Sequence, residues 1–144
     1  MESSANKTST DEPLLAPWMH HVLKFAGYYN LLAGACMMIL YHEGYKILGL
    51  VKPEFMLPIQ LVGLLVAIFG VGYLMVDQRP SLNGKVLLLG LMSKLLGPLL
   101  ALPWIFNGTL PITMLAVLFF ADTIYVWPFW KIYRTISHAN VSNR

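Results

Sequence analysis

Residues 86–106 read VLLLGLMSKLLGPLLALPWIF, and residues 110–130 read LPITMLAVLFFADTIYVWPFW. Each stretch has the roughly 20 predominantly apolar residues that a helix needs to cross the hydrocarbon core of a bilayer. Only three residues, 107–109, separate the two stretches. Because so short a link turns the chain straight back, the two helices are predicted to be antiparallel neighbours.

Two further apolar stretches precede this pair, and together the four predict an all-α polytopic membrane protein, an antiparallel bundle of four transmembrane helices. The predicted spans cover residues 22–41, 56–76, 86–106 and 110–130. They form one domain, residues 18–135, between two cytoplasmic tails at residues 1–17 and 136–144. The first tail is rich in Ser, Thr, Asn, Asp and Glu, and we expect it to be mobile.

The composition supports this class and excludes several others. Of the 144 residues, 57% are hydrophobic and 12% are charged, whereas a soluble domain has roughly 25% charged residues. A single cysteine, Cys36, cannot form a disulfide framework. The net charge of +3 is modest and spread out, which gives no support for nucleic-acid binding. Because nucleotide-binding, zinc-protease and nucleophile-elbow motifs are missing from the sequence, we expect no metal, no cofactor and no catalysis.

The distribution of Lys and Arg predicts the orientation. One side of the membrane holds both tails and the second loop, with seven basic residues: Lys7, Lys24, Arg79, Lys85, Lys131, Arg134 and Arg144. The other side holds Lys46 and Lys52. Because basic loops stay on the cytoplasmic side, both termini are expected in the cytoplasm.

Polar residues interrupt the apolar spans at one depth. Lys94 lies eight residues into the third span and Asp122 lies eight residues before the end of the fourth, so the two charges are expected to form an intramembrane ion pair. Asn30 falls in the same layer, and Tyr125 shares a helix face with Asp122. Pro98 deprives the Lys94 carbonyl of its helical partner, which predicts a further acceptor and a kink.

Glycines repeat at seven-residue spacing in the first three spans. Small residues at this spacing line one helix face and allow neighbouring backbones to approach closely. The pairs are Gly27 with Gly34, Gly63 with Gly70, and Gly90 with Gly97. Since Asn30 and Lys94 lie between the members of two of these pairs, both polar side chains are predicted to point at other helices.

The sequence leaves the role of the polar layer open. A buried ion pair can fix helix partners and register. Ionisable residues inside membranes also mark ion, proton or ligand paths.

Several of these segments resemble those of small four-helix bacterial inner-membrane proteins of the broad DoxX-like type. The resemblance covers about residues 20–135 and rests on the size, the four spans, the longer first outer loop and five segments: QLVG at 60–63, GVGY at 70–73, GLMSKLLGP at 90–98, AD at 121–122 and WPF at 127–129. It implies a bacterial inner-membrane location and a non-catalytic membrane subunit. Some members of this group are associated with quinone-linked oxidoreductases or redox defence.

We therefore expect a non-catalytic accessory or assembly subunit of a larger membrane complex, embedded in the lipid bilayer beside a partner protein or further copies of itself. Two alternatives stay open. One is a small proton-coupled transporter that acts as a homodimer, with Asp122 as the coupling carboxylate and Lys94 as its gate. The other is a binder or isomerase of a sterol- or quinone-like lipid, with Asp122 as acid or base.

Overall fold

The computed structural model describes residues 14–142, and this part of the chain is helical without strands. Its elements are α1 (Pro17–Ile39), α2 (Tyr41–Ile47), α3 (Leu57–Gln78), α4 (Pro80–Phe106), α5 (Met114–Leu118), a π-helical turn (Phe119–Thr123) and α6 (Ile124–Ser142). The helices α5 and α6 and the turn between them form one continuous rod. Four segments of the described chain are long and apolar enough to cross a membrane: α1, α3, α4 and Met114–Val141. The predicted class, a helical bundle of a multi-pass membrane protein, is confirmed.

Proline residues mark where three of the long helices begin. Prolines occupy the first or second position of α1, α3 and α4, where the missing N–H would have no helical acceptor in any case. After α4, Gly108 has a φ of +79°, and its N–H bonds the carbonyl of Ile105 at 3.1 Å. A residue without a Cβ adopts this left-handed conformation at little cost, so α4 ends here and the chain turns back.

The helical domain is longer than predicted at both ends. Leu15 is 1% exposed and belongs to the core, and α1 begins at Pro17, five residues before the predicted span. The last helix continues to Ser142, and Ile136, also 1% exposed, packs on Gly84 of α4. The boundary at residue 135 therefore does not separate a tail from the domain. The prediction for residues 1–13 lies outside the described residues.

The closest helix pair is α1 with α3, and four of the predicted glycines make it so. A Cβ on Gly34 would overlap the carbonyl oxygen of Gly63, and one on Gly70 would lie 2.7 Å from the carbonyl oxygen of Gly27. The two backbones therefore touch at two points seven residues apart. Any side chain larger than hydrogen would push the helices apart there.

The glycines of α4 behave differently from one another. A Cβ on Gly90 would lie 2.5 Å from a ring carbon of Tyr73, so Gly90 makes room for that ring, as its predicted packing role requires. Gly97 has no neighbouring atom within 4 Å of the Cβ position and is exposed. The packing role predicted for Gly97 is therefore wrong within this chain.

Packing is uneven along the bundle. We call the end where α1 begins and α6 ends the termini end, and the other the loop end. The large, fully buried side chains lie between the termini end and the polar layer: Leu15, Leu23, Tyr73, Val76, Leu87, Phe129, Ile132 and Ile136. Toward the loop end, Ile105 is the buried large hydrophobic residue among those described. Large side chains therefore fill the bundle near the termini end, whereas toward the loop end α1 and α3 stay in contact at Gly34 and Gly63 and the space beside Gly97 of α4 is open.

Candidate functional site

Lys94 lies at the centre of the predicted polar layer. The residue is 6% exposed, and its Nζ donates to Asp122 Oδ1 at 2.9 Å. It also donates to Asn30 Oδ1 at 3.5 Å, a long bond, so the side chain links α4 both to α1 and to the π turn of the rod. The structure thus brings Asn30, Lys94 and Asp122 together. Every fully buried side-chain nitrogen or oxygen in residues 14–142 has a hydrogen-bond partner.

A π-helical turn supplies a third acceptor that sequence reasoning missed. In the turn Phe119–Thr123, the N–H of Ile124 bonds the carbonyl of Phe119, five residues back instead of four. This wider turn loosens the regular ladder of carbonyls. The carbonyl of Ala121 accepts a 2.7 Å hydrogen bond from Lys94 Nζ, the shortest of the three. Nothing in the sequence FFADT signals such a turn, since it holds neither proline nor glycine.

Tyr125 joins the cluster through its ring. Lys94 Nζ lies 5.2 Å from the centre of this ring, within the range of a cation–π contact. The ring also packs on Tyr29 at 6.3 Å and on Phe129 at 5.7 Å between centroids. Tyr125 was predicted to share a helix face with Asp122, and in this position its ring lies against the ammonium of Lys94.

Pro98 lies within α4, and the kink predicted there stays a prediction. The helix α4 runs without a break from Pro80 to Phe106, with Pro98 and Pro103 inside it. In the described chain no side chain donates to the Lys94 carbonyl, so the acceptor predicted there takes no part in the cluster. Pro98 instead lines an apolar groove beside Lys94.

The groove has a volume of about 660 Å³ and lies between α4 and the rod formed by α5, the π turn and α6. Volumes of roughly 300–1,000 Å³ are typical of small-molecule sites. Its walls are almost entirely apolar: Leu95, Pro98, Leu99 and Leu102 on α4 face Leu115, Ala116, Leu118, Phe119, Phe120, Thr123 and Val126. Of the α4 residues that line the groove, Lys94 lies nearest the termini end, and Leu102 lies nearest the loop end.

Lys94 lies halfway along α4. Because α4 begins at Pro80 and not at residue 86, Lys94 is fourteen residues into a helix of 27 residues. At 1.5 Å per residue this is about 21 Å from the start of the helix. The Lys94 side chain therefore lies at the middle of α4, where an unpaired charge costs about 2.5–3.5 kcal/mol even on the more lenient scales.

A second polar cluster at the termini end was also missed. His20 Nδ1 lies 2.6 Å from Asp77 Oδ1, and Lys24 Nζ lies 3.9 Å from the other oxygen of the same carboxylate. The Asp77 side chain is 10% exposed. The signal was available, since His20 and Lys24 are one turn apart and Asp77 follows the predicted second span directly.

Neither cluster offers a metal site within the described part of the chain. Residues 14–142 contain no group of three or more His, Cys, Asp or Glu side chains arranged to hold a metal ion. Comparisons of the chain with protein-family models, with curated proteins and with solved structures found no match.

Proposed function

We propose that this chain is a non-catalytic membrane protein that binds a lipid-like molecule in the groove between α4 and the α5–α6 rod, as an accessory subunit of a larger membrane assembly. The observation that carries the proposal is the groove itself, about 660 Å³ of apolar space with Lys94 at one end. An acyl or isoprenoid chain matches such walls, and its polar head would lie beside Lys94.

The bonding of Lys94 supports binding over catalysis. A general acid or base must be free to exchange its proton with a substrate. Here the ammonium is bonded to Asp122, Ala121 and Asn30, and its charge is balanced by the adjacent carboxylate. We propose that this intramembrane ion pair stays closed and that Lys94 is its fixed point of contact with the groove. A closed pair also disfavours the proton-coupled transporter, whose carboxylate must open to each side in turn.

The location and orientation form part of the same proposal. The excess of Lys and Arg near the tails and the second loop supports a cytoplasmic position for both termini. The resemblance to DoxX-like proteins supports a bacterial inner membrane and an accessory role. In this orientation the groove extends from the middle of the bilayer toward the outer leaflet.

Filling the groove tests the proposal. Ala116 lines the groove, whereas Val117, the next residue, is 41% exposed and lies outside it. Ala116→Phe should therefore occupy the groove, and Val117→Phe serves as a control of equal size. The wild type and both variants are purified from native membranes in mild detergent and measured by native mass spectrometry. We expect a lipid adduct on the wild type and on Val117→Phe, and its loss from Ala116→Phe.

The other outcomes separate the remaining functions. A wild type without an adduct, or an adduct that Ala116→Phe retains, contradicts binding in this groove. A second protein at fixed stoichiometry supports the accessory role, whereas a bare multiple of the chain's mass contradicts it. Proton release that depends on an added substrate would favour the transporter instead.

A further inference from the structure

We infer that a second groove, between α1 and α6, binds an anionic glycerophospholipid, with an acyl chain in the groove and the phosphate on Lys131. This site is separate from the groove between α4 and the α5–α6 rod and goes beyond the proposed function. Three features support it: an apolar groove, a pair of tryptophans at its termini end, and a lysine held against that pair.

The α1–α6 groove has a volume of about 370 Å³, within the roughly 300–1,000 Å³ that is typical of small-molecule sites. Its lining is mostly apolar and aromatic, with His21, Val22 and Phe25 on α1 and Ile124, Tyr125 and Pro128 on α6. Because α1 begins and α6 ends at the termini end, His21 and Pro128 lie nearest that end, and Phe25 and Ile124 lie about one turn deeper. The groove therefore extends along the helices into the membrane, in the direction of a lipid chain.

Two stacked tryptophans border the termini end of this groove. The rings of Trp18 on α1 and Trp127 on α6 lie 6.3 Å apart between centroids, with 25° between their planes. Residues three or four apart are neighbours on a helix surface, so Trp18 adjoins Val22 and Trp127 adjoins Ile124 of the lining. Tryptophan is enriched at the level of the lipid headgroups. A lipid with its chain in the groove would therefore have its headgroup beside this pair.

Lys131 brings a cation to the same level. Its Nζ lies 4.4 Å from the centre of the Trp127 ring, a cation–π contact that holds the ammonium on the tryptophan pair. Lys131 is also three residues after Pro128 of the lining, on the same side of α6. Within residues 14–142 no carboxylate lies within salt-bridge distance of this ammonium. Its N–H donors can therefore bond the oxygens of a phosphate.

The distribution of charge favours an anionic headgroup over a zwitterionic one. In the described chain, the carboxylates of Asp77 and Asp122 are each paired with basic side chains. Glu43 and Glu54 belong to the segment between α1 and α3, at the loop end. The phosphate of a phosphatidylglycerol would thus meet Lys131 without a neighbouring negative charge. The choline group of a phosphatidylcholine would bring a second positive charge to the same place.

The test compares two phospholipids that share their acyl chains and differ in headgroup. Delipidated full-length protein in mild detergent is titrated with phosphatidylglycerol or phosphatidylcholine, and bound lipid is counted by native mass spectrometry. For the wild type we expect phosphatidylglycerol to bind about fivefold more tightly, which corresponds to about 1 kcal/mol for one basic residue near a membrane surface. Lys131→Gln should abolish this preference. Lys85→Gln is the matched control, because it removes an exposed lysine of α4 near the same end, outside the groove, and should leave the preference unchanged.

A second pair of variants tests the position of the chain. Phe25 lines the α1–α6 groove and Tyr28 does not, although the two residues are similarly exposed, at 65% and 63%. Phe25→Ala should weaken the binding of both phospholipids to the same degree, because it removes a wall that both chains contact. Tyr28→Ala should leave both affinities unchanged.

Each failure has its own signature. Equal affinity of the wild type for the two phospholipids overturns the inference. An effect of Lys85→Gln equal to that of Lys131→Gln would show general attraction to a basic surface and overturn it as well. If Phe25→Ala binds both lipids like the wild type, no chain occupies this groove. Ala116→Phe fills the other groove and should bind phosphatidylglycerol like the wild type, so either site can fail while the other stands; loss of phosphatidylglycerol from Ala116→Phe would place the lipid in the other groove and overturn the inference.

Discussion

Removing Asp122 alone should cost more than removing both members of the Lys94–Asp122 pair. Asp122→Ala deletes the 2.9 Å hydrogen bond and leaves the Lys94 ammonium, in a residue only 6% exposed, with two neutral acceptors. Lys94→Met leaves the Asp122 carboxylate behind instead, but this side chain is 27% exposed and has access to water. The two single substitutions are therefore not equivalent.

The magnitudes follow from this difference in burial. An uncompensated charge in the interior of a bundle or membrane costs about 3 kcal/mol, so Asp122→Ala should lower the free energy of unfolding by about that amount. Lys94→Met should cost about 1–2 kcal/mol, because the carboxylate keeps partial solvation and the Met side chain keeps the packing. The double variant has no charge left in the layer and should lose about 1–2 kcal/mol. The coupling energy is then about 3 kcal/mol.

The assay is a double-mutant cycle. Unfolding of the wild type, both single variants and the double variant is followed by tryptophan fluorescence in mixed micelles with an increasing fraction of denaturing detergent. If the losses of the single variants simply add in the double variant, the pair contributes no coupling and the reasoning is refuted. A larger loss for Lys94→Met than for Asp122→Ala would refute the argument from burial.

Two further predictions concern helix packing and the termini end. Gly34→Ala should lower the free energy of unfolding by about 1–3 kcal/mol, because the new methyl group overlaps the Gly63 carbonyl. The control Gly97→Ala places its methyl group in open space and should be neutral or stabilising by up to about 1 kcal/mol. Equal losses of stability for the two variants in thermal unfolding would contradict this prediction. Asp77→Asn should cost about 1 kcal/mol through its 2.6 Å contact with the partly exposed His20. Adding His20→Ala should cost little more, and a full second loss would speak against the pairing.

The fold could be predicted because four apolar stretches of membrane-spanning length leave few other arrangements. The meeting of Lys94 and Asp122 could be predicted for a related reason. A three-residue link fixes two helices as antiparallel neighbours, so the depth of each residue follows from counting along the chain. Local spacing alone was sufficient in both cases.

The features that were missed depend on how the helices pack against one another. Seven-residue spacing places Gly90 and Gly97 on one face of α4, but it does not reveal that Tyr73 packs against Gly90 while no atom lies within 4 Å of a Cβ on Gly97. The pairing of His20 with Asp77 was missed because the second span was predicted to end at residue 76, two residues before the end of α3, which placed Asp77 in a solvated loop. A π turn arises from tertiary packing and has no residue signature of its own here, so the Ala121 carbonyl could not be foreseen.

The distribution of charge pairs has a consequence for biosynthesis. The chain consists of two antiparallel halves, α1 with α3 and α4 with the α5–α6 rod, and each half contains its own pair, His20 with Asp77 and Lys94 with Asp122. Each half can therefore leave the insertion machinery with its charges already compensated. The amino-terminal half need not wait in the translocon for the carboxyl-terminal half to be synthesised. Among the described residues, the long Asn30–Lys94 hydrogen bond, the hydrogen bond from Asn83 to the Met75 carbonyl and apolar contacts remain to form when the two halves meet in the lipid.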